Sequence, residues 1–227
     1  KKFSKIEIKK IFHQLKTINK IAYQQMFLDI KKIENLKKKQ TQVDQSNLYF
    51  IDKIYWLIED CKKFGTLPFA GLARCAFIAT EILNSFVEQK IITQNEKLKF
   101  LSNIKTITFK MKDDLKKGKK YFVKKYGHLR PGTYEITSKN YEENFDNYFD
   151  MNKKISSNKI QKFNFSAEQI KKINIFTRKS GVYKNFDHLI SFIKLAIQYR
   201  EYSKFIFTKS IDLIFKNLKG FGKKYKF

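Results

Sequence analysis

Apolar residues recur along the first thirty positions at steps of three to five: Ile8, Ile11, Phe12, Leu15, Ile18, Ala22, Phe27 and Ile30. Such spacing returns to one helix face at each turn. Ser4-Lys-Ile-Glu7 just ahead of it is a capping-box pattern, so an amphipathic helix is predicted from the start. Residues 37–45 lose the apolar rhythm and read as a polar connector. A second helix is predicted over about residues 46–63, carried by Leu48, Ile51, Ile54, Tyr55 and Ile58. Gly65-Thr-Leu-Pro68 predicts a break. The following helix, about 69–88, is apolar on most faces and belongs in the middle of a bundle.

Thr93-Gln-Asn-Glu96 is a second capping box, opening a helix that fades near Lys110, and 113–126 reads as a further helix. Ser166-Ala-Glu-Gln169 caps a helix to about Ser180. Gly181 ends it, and Asn185 or Asp187 starts the last helix, which runs to about Lys219. No stretch alternates with period two, the only strand candidate being a short one at 133–136, and no repeat of fixed period is present. The predicted class is therefore all-α. It is an irregular multi-helix bundle with one long Gly- and Pro-containing loop at about 126–136 and a polar, aromatic, irregular segment over 137–164. One helical domain over 1–227 is expected, with 1–45 as a candidate separate N-terminal segment. The chain starts without Met and ends on Lys223-Lys-Tyr-Lys-Phe227, so it reads as a piece of a larger multidomain protein.

Charge adds a partner question. Lys and Arg number 48 against 21 acidic residues, a net +27. That excess suggests nucleic acid or an anionic surface. Arg, the better bidentate reader of phosphate and guanine, stands only at 74, 130, 178 and 200. The lysines follow helix faces along the whole length, beside abundant Ile, Asn, Phe and Tyr, which is the signature of an A+T-rich coding sequence. Non-specific affinity for polyanions follows either way. The 42% apolar content suffices for a core. No apolar run reaches the ~18–20 residues of a membrane span. With no signal-peptide pattern, and with Cys61 and Cys75 forming neither CxxC nor a disulfide framework, a reduced, cytoplasmic location is expected.

Candidate chemistry sits in three polar islands. His13, His128 and His188 lack Cys or carboxylate neighbours at ligand spacing, so no metal site is predicted. No Walker loop, GxGxxG or GxSxG occurs, so the chain carries no familiar phosphate-cradling loop. The first island is Tyr126-Gly-His-Leu-Arg-Pro-Gly-Thr-Tyr-Glu-Ile136. In an extended segment His128 and Arg130 point to one side, where Arg130 can hold an anionic oxygen and His128 can hydrogen-bond or move a proton. The alternative is that both pin the loop to backbone carbonyls and to acids near Glu135 and Glu142. The second island is the helical stripe of Arg200, Lys204 and Thr208, which lines a cavity or closes on itself through a Glu201–Lys204 ion pair. The third is Arg74, on the most apolar helix, where a guanidinium needs a partner or a ligand. Cys75 beside it reads as core.

Together with Gly65-Thr-Leu-Pro-Phe-Ala-Gly-Leu-Ala-Arg-Cys-Ala-Phe77 and Ala196-Ile-Gln-Tyr-Arg-Glu-Tyr-Ser-Lys-Phe-Ile-Phe-Thr-Lys209, the His128 loop resembles the central helical region of phosphoenolpyruvate-synthase and pyruvate-phosphate-dikinase-like phosphotransferases. Within them it is most similar to the branch near surface-polysaccharide genes, which includes glutamine-kinase-like enzymes. The resemblance spans about 50–227, with the motifs in family order. It implies an N-terminal ATP-grasp domain, a helical middle that holds the acceptor, and a swivelling domain carrying a phosphohistidine. This chain would be the middle piece, inactive alone, with ATP and Mg²⁺ bound elsewhere in the complete enzyme. His128 would be the candidate catalytic residue, in the acceptor pocket and not the phospho-carrier. Arg74, Arg130, Thr133, Arg200, Glu201 and Lys204 would be substrate contacts. Related loops often read Gly-His-Arg-Gly, whereas here Arg130 stands one place later. The rival expectation is a free-standing basic helical nucleic-acid-binding module.

Overall fold

A computed structural model describes residues 3–151 and 163–226, and the fold is all-α, with no strand among the described residues. The helices are α1 (Lys5–Gln45), α2 (Phe50–Cys61), α3 (Leu67–Glu88), α4 (Gln94–Ser102), α5 (Ile107–Leu115), α6 (Lys119–Tyr126), α7 (Phe145–Tyr148), α8 (Ala167–Ser180) and α9 (Phe186–Tyr225).

Three starts obey their capping signals. Ser4 and Glu7 exchange backbone-to-side-chain hydrogen bonds, and Thr93/Glu96 and Ser166/Gln169 form complete capping boxes. Gly181 ends α8 in the left-handed region at φ 61°, its N–H bonded to the Thr177 carbonyl.

Elsewhere the structure corrects the sequence reading. Residues 37–45 are the last turns of α1, because Gln40 finds buried partners that hydropathy does not register. Gly65-Thr-Leu-Pro68 does not interrupt the chain. A π-helical segment, Lys62–Thr66, joins α2 to α3 without a loop. Pro68, which has no N–H to give, follows that π-helical segment directly, at the second position of α3. The helix expected to reach Lys110 divides into α4 and α5, and Gly118, at φ 97°, separates α5 from α6. Residues 133–136 are successive turns, not a strand, with Glu135 N–H bonded to Gly132 and Ser138 N–H to Glu135. Part of the 137–164 segment lies outside the described residues. The remainder includes α7 and sends Phe145 into the core. Phe50–Glu88 is one continuous helical run whose most apolar 18-residue window has a mean hydropathy of 1.4 and is 33% buried. By length and composition alone it would suffice to cross a bilayer.

The chain clusters into two compact units. The first comprises Lys1–Leu28, Gly71–Ile104 and Ile160–Tyr199. Its core is apolar, built on Met26, Leu72, Leu83, Phe86, Ile173 and Phe192. Tyr23 anchors an aromatic cluster with Tyr183, His188 and Phe192. The His188 Nδ1 accepts from the Lys184 N–H, so Nε2 carries the proton and donates to the Tyr23 hydroxyl at 2.6 Å. Cys75 is buried with its thiol directed at the Ala22 carbonyl, a core residue and not an exposed nucleophile.

The second unit comprises Asp29–Ala70, Lys105–Lys159 and Arg200–Phe227. Among the described residues, all the buried polar and charged side chains but Thr177 fall here: Asp29, Gln40, Asp60, Asp114, Arg130, Asn140, Ser203, Thr208, Ser210 and Asp212. Buried polar groups need partners, so the interior of this unit is organised by specific hydrogen bonds as well as packing. An aromatic cluster of Phe122, Tyr126 and Phe145, with Tyr141, Phe149 and Phe205 against it, fills the space beside them.

Candidate functional site

The second unit's first polar anchor is α9. Three consecutive backbone carbonyls on this helix accept side-chain hydrogen bonds from three different segments. His128 Nε2 donates to Phe205 at 3.0 Å, the Gln40 amide to Ile206 at 2.9 Å, and the Cys61 thiol points at Phe207 at 3.9 Å. Gln40 also donates to the Ser210 hydroxyl at 2.8 Å. These bonds fix how α9 is rotated, and therefore which of its residues face inward.

The second anchor is Asp212, also on α9. Arg130 and Asp212 form an ion pair whose side chains are 3% and 2% exposed. Asn140 donates to the same carboxylate at 2.8 Å, and Lys216 approaches its other oxygen at 3.3 Å. Arg130 Nη1 donates to the Ser138 carbonyl at 3.1 Å, and the guanidinium lies over the Phe215 ring. The loop is closed on itself by backbone bonds from Tyr141 to Leu129 and from Glu142 to Gly127. A side chain at Gly127 could not fit: its Cβ would stand 2.5 Å from the Val123 carbonyl oxygen and 3.2 Å from the Glu142 Cβ.

Between this loop, α5 and the start of the second unit's share of α9 lies a cavity of about 220 Å³. Its polar lining is Thr108, Arg130, Thr133, Glu201, Lys204 and Thr208. Tyr126, Tyr141 and Phe205 supply aromatic wall. Glu201, Lys204, Phe205 and Thr208 recur at helical i, i+3, i+4 and i+7 spacing, one face of α9. Thr108 donates to Glu201 at 3.4 Å. The alternative Glu201–Lys204 ion pair does not form among the described residues, and Lys204, an exposed residue, stands in the lining of the cavity.

Tyr126 is held from behind. Its hydroxyl donates to Asp114 at 2.9 Å, and Lys117 and Lys125 each donate to that carboxylate at 2.7 Å. Burial works to raise the Asp114 pKa, but these hydrogen bonds prevail and hold it down at about 2. Burial, followed by the bond to Asp114, raises the Tyr126 phenol above its ordinary value.

The sequence-derived residues divide accordingly. Arg130, Thr133, Glu201 and Lys204 come together in the cavity from segments some seventy positions apart. His128 is not in the lining. Its ring packs on Phe205, and burial pushes its pKa down to about 4 against the opposing pull of the Phe205 carbonyl. A carbonyl can only accept, so Nε2 carries the proton, and the imidazole is neutral at pH 7. The geometry makes His128 a positioning residue for α9. Arg200 is exposed and off the lining, about a quarter-turn from the inward face. Arg74 is exposed and belongs to the first unit. Sequence reasoning missed Asp212, Asn140, Gln40, Asp114 and Thr108.

No group of three or more His, Cys, Asp and Glu side chains among the described residues is placed to hold a metal ion. Glu201 is the one carboxylate in the lining of this cavity. Compared with known proteins, the chain matches no family model, no curated protein and no solved structure.

Proposed function

We propose that the second unit binds a small phosphoryl-accepting molecule, as the acceptor-holding helical part of a phosphoenolpyruvate-synthase-like phosphotransferase. The observation that supports this is the convergence of the 126–136 loop and the 200–208 stripe on one cavity lined by a lysine, an acid and three threonines. Phosphoryl transfer needs little covalent chemistry from the protein. It needs the acceptor held in line and cationic donors around the moving group. Lys204 is the candidate cation, while Thr108, Thr133 and Thr208 are candidate hydroxyl contacts and Glu201 a candidate acceptor-orienting carboxylate. Arg130 is already paired with Asp212, so its role is to shape the wall. His128 acts through α9. Arg74 and Arg200 lie away from this cavity and are assigned no contact with the acceptor. ATP, Mg²⁺ and the phosphohistidine belong to the other domains of the complete enzyme.

Amide NMR of this chain titrated with inorganic phosphate tests the reading. Shifts centred on Thr108, Thr133, Lys204 and Thr208, and abolished by Lys204→Ala, are expected. Shifts spread instead over the lysines of α1, α6 and α8, with equal or stronger response to duplex DNA and steep loss with salt, would replace it with the polyanion-binding module.

A further inference from the structure

The cavity lined by the 126–136 loop, α5 and α9 is balanced in charge. Arg130 is paired with Asp212, which leaves one cation, Lys204, and one anion, Glu201. The rest of the polar lining is hydroxyl: Thr108, Thr133, Thr208 and Tyr141. The Thr208 hydroxyl donates to the Phe205 carbonyl at 3.0 Å, and that of Thr108 to Glu201 at 3.4 Å. Both oxygens keep lone pairs that can accept. Among the described residues the Thr133 and Tyr141 hydroxyls have no hydrogen-bond partner, although both residues are half-buried. Burial raises the Tyr141 phenol above its ordinary value, so it keeps its proton and can both donate and accept.

Carbon surface completes the wall. The Tyr126 hydroxyl is committed to Asp114, and its ring stands 5.5 Å from that of Phe205, centroid to centroid.

Ligand classes meet this lining differently. An acid would need Lys204 twice, once for its own carboxylate and once for the moving phosphoryl group, and would face Glu201. An amine would satisfy Glu201 but leave the half-buried Thr133 and Tyr141 hydroxyls without partners. A nucleotide is too large: about 220 Å³ is below the ~300–1,000 Å³ of sites that take drug-sized ligands. A neutral ring carrying several hydroxyls uses the whole lining. Its hydroxyls match Thr133, Tyr141 and Glu201, and its C–H hydrogens, slightly positive, suit the negative faces of aromatic rings.

We infer that the cavity takes a neutral polyhydroxyl ring, one monosaccharide unit, with hydroxyls on Thr133, Tyr141 and Glu201 and C–H surface against the aromatic wall. This names the class of acceptor and rests on the reading of the cavity as the acceptor site.

Amide NMR of the chain with D-glucose, lactate and serine as separate probes tests it, since each carries a hydroxyl and they differ in charge. Glucose should shift Thr133, Tyr141 and Glu201 with a Kd on the order of 1–10 mM. About 0.5 M salt should leave that titration unchanged, because no charge is being screened. Thr133→Val keeps the shape, removes one hydroxyl and should weaken glucose about fivefold. Tyr141→Leu should abolish the shifts. Tyr141 also packs on Phe149, so this variant counts only with unchanged circular dichroism, and Thr133→Val decides otherwise. No glucose shifts, with phosphate shifts at Lys204 intact, would overturn the sugar assignment and leave the acceptor site standing. Lactate or serine acting at lower concentration than glucose would overturn it too. Glucose shifts without phosphate shifts would uphold the sugar site and remove the phosphotransfer reading.

Discussion

The Gln40 side chain donates to the Ile206 backbone carbonyl at 2.9 Å across 166 positions of sequence. One helix is thereby keyed to another through a main-chain atom, independently of the side chain at position 206. Gln40→Met keeps the bulk and removes the donors. A loss of about 1–2 kcal/mol is expected, from the missing bonds to Ile206 and Ser210, and urea unfolding would measure it. The Lys204 and Thr208 amide resonances should shift in the same variant, because α9 is freed to rotate.

The Arg130–Asp212 pair is a stronger keystone. Asp212→Asn leaves a guanidinium 3% exposed without its counter-charge, and a destabilisation of about 3–5 kcal/mol is expected. Lys216→Met removes a partner that is 44% exposed and should cost less than about 1 kcal/mol. Equal losses in the two denaturation curves would mean that the pair is no more than a surface contact.

His128 titrates with a known sign. Its folded pKa of about 4 lies below the unfolded value near 6.5. Between those values the unfolded chain binds more protons than the native one, so stability falls as pH drops from 6.5 to 4. The full effect is at most about 3 kcal/mol. Asp114, down at about 2, adds a separate loss only as pH falls below about 3.8. His128→Gln can still donate to Phe205 but does not titrate, so its pH–stability curve should be flatter between 4 and 6.5. Parallel curves for variant and wild type would remove His128 from this role.

Gly127→Ala tests the loop. The added methyl meets a backbone oxygen at 2.5 Å, which no rotamer change relieves. A loss of about 1–3 kcal/mol is expected, together with weakened phosphate shifts at Thr133. A neutral melting temperature would show that the loop closes differently.

Local signals were readable in the sequence and tertiary ones were not. The pairs Ser4/Glu7, Thr93/Glu96 and Ser166/Gln169 announce helix starts because both partners lie within one turn. Residues 65–68 carry the composition of a loop, yet π-helical geometry absorbs the glycine. Its absent Cβ lets Leu36 and Phe207 approach to 3.0 Å of where that atom would be, a reason visible only in three dimensions. Gln40 made 37–45 look like a connector because a polar residue at a buried position reads as exposed. For Arg130, the sequence offered Glu135 and Glu142 as acidic partners. The structure uses Asp212, which hides among the polar positions of a long amphipathic helix. The stripe was anticipated with Arg200 in it. The 3.6-residue turn instead brings Glu201 inward and leaves Arg200 at the edge.

The unequal distribution of buried polar side chains makes the two units unequal under mutational drift. A coding sequence pressed toward Lys, Asn, Ile and Phe can rewrite solvent faces freely, and it can exchange one aliphatic for another around Leu72 or Leu83 at modest cost. Around Asp212 it cannot. The buried Arg130 and Asn140 answer to a single carboxylate, so a tolerated change at either needs a second one elsewhere to match it. The second unit is therefore expected to change more slowly than the first, and distant relatives are best sought through its paired positions.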